Sequence, residues 1–371
     1  MKNLPLGFST LSRLIEENFV YVDKTEYAHK LVTQSGAFFL SRPRRFGKSM
    51  FVDTLKEIFE GNQAIFEGLY IHDKWDWTKK YPVIKLDFVT GGGRNLAEFD
   101  IRISEMLRMN GNRLGVTFNS TDFAGKFGEL ISGAASKYGQ RVVVLVDEYE
   151  KPLLDNIDNP QIAMELVSGL NNLYSVLNEQ ESNLQFVFMT GVTNYSKAIM
   201  FSGLNHFKDI TINKTYSSIF GFTEKELQHY LSEYLADRDL EEVKRWYNGY
   251  NWTGLDTVYN PNDILLFLDN DRFRNFWFET GTPSFLIKLF KKNQYLLPDL
   301  ENIEVSEQIL SSFENDSHDP ITLLFQTGYL TIEKTFIREG ERIFRLKIPN
   351  REVQLSLNNY FIKNFKDDGR K

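Results

Sequence analysis

Two short stretches carry the side chains best suited to handle phosphate. The first is Gly47-Lys48-Ser49, preceded by Arg44, Arg45 and Phe46 and followed by Met50. It matches the last three positions of the phosphate-loop pattern G-x-x-x-x-G-K-[ST]. There, loop amides and a helix N-terminus hold the phosphates, the lysine reaches the outer ones, and the hydroxyl coordinates Mg²⁺. On this reading Arg44, Arg45, Phe46, Gly47, Lys48, Ser49 and Met50 bind the nucleotide, Lys48 also serves catalysis, and Ser49 ligates the metal. Arg42 stands where the first glycine belongs, so the triplet by itself equally suits an ordinary helix start. The second stretch is Asp147-Glu148, two carboxylates at the end of the apolar run Val142 to Val146. Asp147 is expected to hold Mg²⁺, directly or through water, and Glu148 to orient and deprotonate the water that attacks the γ-phosphate. Acids that merely end a strand are the plain alternative, but both halves of one ATP site occur here in the right order.

The elements that must position these groups are readable around them. Ala37 to Leu40 is a short apolar run of the kind buried in a central strand, and it feeds directly into the loop. Met50, Phe51, Leu55, Ile58 and Phe59 form a helical face closed by Gly61. Pro82 to Phe88 reads as a second strand, Leu96 to Met109 and Phe123 to Tyr138 as helices, and the acidic strand is then third in order. A long helix, Ile162 to Glu179, leads to the strand Leu184 to Met189. That strand ends at Thr190, the first candidate for a polar residue that senses the γ-phosphate and helps place the water, with Thr193 and Asn194 behind it. Phe207 to Ile212 reads as a fifth strand. Leu4 to Asn18 is expected on the edge of the sheet, and Phe19 to Asp23 as a short strand or turn. Arg44 and Arg45, and more weakly Lys197, are candidates for steadying phosphate charge or acting as an arginine finger on a neighbouring subunit, although exposed arginines usually only solvate a loop.

Four segments, YVDKT (Tyr21 to Thr25), SRPRRFGKS (Ser41 to Ser49), LVDEYEKPL (Leu145 to Leu153) and TGVTNYSK (Thr190 to Lys197), resemble the prokaryotic AAA-ATPase-like family. Many members carry a PD-(D/E)XK-type nuclease domain behind the ATPase region. The resemblance runs from about Leu4 to beyond Tyr329 and implies a P-loop NTPase of the additional-strand type with ATP and Mg²⁺ as cofactors. It makes Arg42 a family variant of the loop. It also brings the region around Tyr21 towards the nucleotide base, whereas Tyr21 and Tyr27 read on their own as core residues. A nuclease module would follow about Asn350, where only the helix REVQLSLNNYFIKNF and a polar tail remain, so a naturally short member or a truncated chain is expected.

With 371 residues and 42% hydrophobic content, the chain has room for an α/β domain, residues 1–220, and a mainly helical C-terminal region, residues 221–371. Zero cysteines exclude disulfides and thiolate metal sites, and the five histidines lack metal-ligand spacing. The net charge of −7 argues against binding nucleic acid over the whole surface and leaves only a local patch. No run is apolar enough to span a membrane, so a cytoplasmic location is expected. In the C-terminal region Thr223 and Glu226 form a capping box for a helix through Tyr234. Helical runs follow at Asp239 to Tyr250, Tyr259 to Asp269 and Phe285 to Phe290. Trp246, Tyr247, Tyr250 and Trp252 read as packing rather than base stacking. A helix at Ile321 to Gln326 and a hairpin around Gly340 give a winged-helix layout whose tip, REGER, is charge-balanced. Two functions are carried forward. One is Mg-dependent ATP hydrolysis driving a conformational change. The other is a nucleotide-sensing scaffold with little turnover that recruits an unknown protein effector. A homo-oligomer is compatible with either.

Overall fold

The computed structural model describes residues 2–156, 159–193, 207–277, 300, 303–311 and 320–368. Five strands form one parallel sheet: β1 Gly36–Ser41, β2 Val83–Asp87, β3 Val142–Asp147, β4 Leu184–Gly191 and β5 Phe207–Asp209, in the order β2-β3-β4-β1-β5. All four pairings are parallel. β3 is buried along its whole length, as an unbroken β-branched run requires when helices cover both faces. β4 lies between β1, which leads into the phosphate loop, and β3, which ends in the acids. This is the additional-strand arrangement expected from the sequence.

Side-chain alternation divides the core into two layers. Phe38, Leu40, Val143, Leu145, Phe186 and Phe188 face helices α1 Leu11–Glu16, α2 Thr25–Val32 and α3 Lys48–Glu60. Phe39, Leu86, Val144, Val146, Val187 and Met189 face α4 Leu96–Leu114, α5 Phe123–Tyr138 and α7 Pro160–Glu179, while α6 Lys151–Asp155 follows β3. The side chains of Asn95, Asp122 and Asn159 cap α4, α5 and α7 by accepting the amides of Glu98, Gly125 and Ile162.

Three expectations for residues 1–220 change. Leu4 to Asn18 does not lie on the sheet edge. Its helix α1 sits on α3, where the Leu11 amide donates to Asp53 Oδ2 at 2.7 Å, and β5 takes the edge instead. Phe19 to Asp23 forms no strand beyond a single bridge between Asn3 and Phe19. β5 stops at Asp209, because its carboxylate accepts the Thr211 amide at 2.9 Å and turns the chain.

The capping box at Thr223 and Glu226 forms as expected and starts helix Glu224–Tyr230, but the helix breaks at Leu231 before a short helix at Ser232–Leu235. Helices Leu240–Tyr247 and Pro261–Asn270 follow. A second sheet, β6 Glu304–Ser306, β7 Thr331–Arg338 and β8 Glu341–Lys347, is antiparallel in the order β6-β8-β7. Helix Pro320–Gln326 precedes its hairpin and helix Arg351–Asp368 follows it. Trp246, Tyr247, Tyr250 and Trp252 are buried, which is the packing role. The expected helix at Phe285 to Phe290 lies outside the described residues. Among the described residues no helix is long and apolar enough to cross a membrane.

Candidate nucleotide-binding site

The phosphate loop leaves β1 at Ser41 and enters α3 at Lys48. Gly47 is the N-cap of α3 with φ of +93°, a left-handed conformation that a side chain would strain. Arg45, one step earlier than Phe46, holds φ at +66° with no such freedom, so the loop stores local strain at this point. Lys48 is buried and its ammonium donates back to the carbonyls of Arg42 and Pro43, each at 3.0 Å. Burial pushes the Lys48 ammonium down from its ordinary value, and Glu148, Asp147 and Glu150 oppose that shift. The loop lysine and the three carboxylates of the acidic stretch therefore share one electrostatic environment.

The pairing register explains how the acids are built. Leu40 of β1 pairs with Thr190 of β4, and Val146 of β3 pairs with Met189, so Thr190 and Asp147 reach the same level at the carboxyl end of the sheet. The Thr190 hydroxyl donates to Asp147 Oδ1 at 2.6 Å and accepts the Glu148 amide at 3.4 Å. Thr190 is fully buried and is absent from the cleft wall, so it braces Asp147. Asp147 Oδ2 is a buried carboxylate oxygen with no hydrogen-bond partner among the described residues. The Asp147 carboxylate and the Ser49 hydroxyl are hard oxygen donors of the kind that would suit Mg²⁺. Ser49 lines the cleft at the loop, whereas Asp147 is fully buried and absent from its wall. Among the described residues no cluster of three acids, histidines or cysteines could hold a metal unaided.

A cleft of about 260 Å³ brings Arg45, Gly47, Lys48, Ser49 and Met50 together with Glu148, the chain segment Pro5 to Ser9, and Pro261 and Asn262 of a C-terminal helix. Arg44 is half-buried beside it, while the Phe46 ring packs on Tyr250 and Trp252, at 4.9 and 5.7 Å between centroids, and also lines the apolar pocket beside the cleft. Next to the cleft, and sharing Gly47, Met50 and Pro261 with it, is an apolar pocket lined by Tyr21, Val22, Phe51 and Phe222. Tyr27 is absent from its wall. Thr193 lies at the end of β4, where its amide donates to Glu150, and Asn194 and Lys197 lie outside the described residues.

A family model described as AAA-ATPase_like, predicted AAA-ATPase, matches residues 5–201. The chain belongs to this predicted AAA-ATPase family. Membership puts the AAA-ATPase-like chain among predicted nucleotide-binding ATPases. It is also similar to a protein of Azotobacter chroococcum mcd 1 described as an uncharacterized protein in the vnfD 5' region. The two are 44% identical over 358 residues, covering 96% of this chain and 69% of that protein. Among solved structures, the Aeropyrum pernix ORC2 protein in ADPNP and ADP complexes aligns over 94% of this chain and 97% of its own, at 12% identity and a TM-score of 0.38. Drosophila ORC bound to GC-rich DNA and Cdc6 aligns over 94% and 93%, at 11% identity and a TM-score of 0.27. Both scores are too low to add to the strand order described above.

Several residues of this AAA-ATPase-like site escape sequence reasoning. Arg42, at the first-glycine position, turns its side chain inward: it donates to the carbonyls of Ser41 and Thr211 at 2.8 Å and lies 4.6 Å from the Trp252 ring. It ties the loop to the chain after β5 and to the C-terminal region. Glu150 is buried, and its Oε1 accepts the amides of Val192 and Thr193 at 2.6 and 2.8 Å, while burial pushes its carboxyl up to about 7. Lys24 of YVDKT is buried and pairs with Glu226 at 2.6 Å, joining the N-terminal segment to the capping box. Behind the loop, burial pushes the neighbouring carboxyls of Asp263 and Glu352 up, Asp263 to about 6, and Glu352 accepts the Trp277 amide at 2.9 Å. The DEYE spacing was the available signal for Glu150. Asp263 and Glu352 are far apart in the chain and gave none.

Proposed function

We propose that the protein binds ATP with Mg²⁺ in the cleft at Gly47 to Met50 and hydrolyses it. The observation that carries this is that Lys48, Ser49 and Glu148 line one cleft although they come from two distant segments. On this reading the amides at the start of α3 receive the phosphates. Lys48 exchanges the Arg42 and Pro43 carbonyls for the outer phosphates, and Met50 and the apolar pocket beside Tyr21 accept the base. Bound Mg²⁺, held by Ser49 and Asp147, would neutralise charge on the β- and γ-phosphates. Glu148 takes the proton of the attacking water, and Thr190 acts through Asp147 as a positioning residue.

The reading extends to what hydrolysis moves. Residues 1–220 would carry the nucleotide and residues 221–371 respond to it, because Arg42 and Phe46 of the loop pack directly on Trp252 and Tyr250. The same packing serves a nucleotide-sensing scaffold with little turnover. Phosphate release from Mg-ATP separates the two: the ATPase turns over and the scaffold does not. Lys48→Ala is expected to lose ATP binding. Glu148→Gln is expected to keep ATP binding and lose about 10²–10⁴-fold in turnover, the usual size of a general-base contribution. Normal turnover in Glu148→Gln would remove Glu148 from the mechanism.

A further inference from the structure

A second cleft, of about 750 Å³, opens in the C-terminal region, remote in sequence from the phosphate loop. Lys244 and Arg245 come from helix Leu240–Tyr247, Lys347 from the end of β8, and Arg351 from the first turn of the last helix. All four are exposed. Among the described residues no ion pair engages Lys244 or Lys347. Arg245 and Arg351 share Glu242 at 2.8 and 3.5 Å, and Glu333 is the one acid on the wall. The cleft is thus a cationic spot on a chain of net charge −7.

Its floor is rigidly built. The Asn350 amide donates to the Asn248 carbonyl at 2.9 Å, and its oxygen accepts the Val353 amide at 3.0 Å. Gly249 has φ of +107°, and a Cβ there would stand 2.1 Å from the Pro349 carbonyl oxygen, so only glycine lets the two segments close the floor. Ile348 and Pro349 are the apolar residues on the wall, which leaves no anchor pocket for a peptide side chain. No aromatic ring lines it either, so bases have nothing to stack on. Cations, neutral amides and a polar concavity suit a phosphate backbone without regard to sequence.

We propose that this cleft binds the phosphodiester backbone of single-stranded nucleic acid. A concave pocket admits one flexible strand. The neighbouring hairpin does not extend the site towards a duplex, because its arginines are spent internally: Arg338 and Arg345 pair with Glu304 at 2.7 Å. The inference stands whether or not the phosphate loop hydrolyses ATP.

The test uses the full chain and fluorescence anisotropy with a labelled oligo-dT of about twenty nucleotides, in 50 to 200 mM salt. Phosphate contacts by the two lysines without an ion pair would give a slope of log affinity against log salt of about −1.4, at about −0.7 per contact, and a steeper slope would mean that Arg245 and Arg351 leave Glu242 for phosphate as well. The double variant Lys244→Glu/Lys347→Glu is expected to bind at least tenfold more weakly, with a flatter slope and unchanged ATP binding. The same charge reversal at the exposed Lys208 and Lys225 is expected to change affinity less than twofold. Equal affinity in the cleft variant and wild type overturns the proposal, as does absence of wild-type binding at 50 mM salt. Displacement of the oligonucleotide by poly-glutamate at equal charge concentration also overturns it, in favour of an acidic protein segment.

Discussion

The phosphate-loop cleft encloses about 260 Å³ around one buried cation, Lys48, while the C-terminal cleft encloses about 750 Å³ around four exposed ones. Lys48 is held by two loop carbonyls and lies near Asp147, whose partner is the buried Thr190 hydroxyl, and Glu150, whose partners are the Val192 and Thr193 amides. Lys244 and Lys347 are long side chains with water on most sides. A buried cation that has already lost its hydration recognises an anion by geometry and changes little with salt. Exposed cations act by charge and counterion release, and they weaken as salt rises. On the two proposals, an anion site is built once from a core and once from a surface.

The largest effect expected of this contrast is in catalysis, where Glu148→Gln is to lower turnover by about 10²–10⁴-fold while no single lysine of the C-terminal cleft changes it. Steady-state phosphate release on the two sets of variants checks this. Next comes stability. Arg42→Ala removes three buried hydrogen bonds and the stack on Trp252, and it is expected to cost about 2–4 kcal/mol in denaturant unfolding. Lys347→Ala is expected to stay within about 0.5 kcal/mol. Equal costs would mean that Arg42 is no part of the core.

The pH response follows with a smaller size. Asp263 has its folded-state carboxyl raised to about 6, above its ordinary 3.8. The folded chain therefore binds more protons than the unfolded one between these values. The associated stability is complete below about pH 4 and is lost as pH rises through 6, on the order of 1–3 kcal/mol. Asp263→Asn is expected to flatten that part of the stability profile, read by chemical denaturation at pH 4, 5, 6 and 7. An unchanged profile would show that the pair is not proton-sharing. The smallest effect is on salt sensitivity: Lys244→Ala alone is expected to reduce the oligonucleotide salt slope by about 0.7, while the ATP affinity of that variant moves with salt as in wild type.

Local patterns carried much of the molecule. The apolar run Val142 to Val146 had to be a strand covered on both faces, since no other placement buries five such residues in a row. Thr223 and Glu226 marked a helix start, because the Thr223 oxygen sits where an orphan amide needs it. Gly47-Lys48-Ser49 pointed to a phosphate loop and Asp147-Glu148 to its acids, and the cleft that joins Lys48 to Glu148 agrees with that pairing. YVDKT was visible as a motif, yet its physical work was not. Lys24 holds Glu226 and Asp23 accepts the Tyr70 amide, so much of its role is to fasten segments far along the chain.

Sequence alone thus determined most of the segments of the main sheet and its helices and which residues could meet phosphate, because periodicity, caps and glycine φ are local properties. Only the tertiary structure decided that Arg42 points inward to Trp252, that Asp263 lies beside Glu352, and that Lys244, Arg245, Lys347 and Arg351 converge on one cleft. Each of these depends on two segments separated by long stretches of chain meeting in space. That meeting is set by the packing of the whole core and leaves no trace in the spacing of either segment.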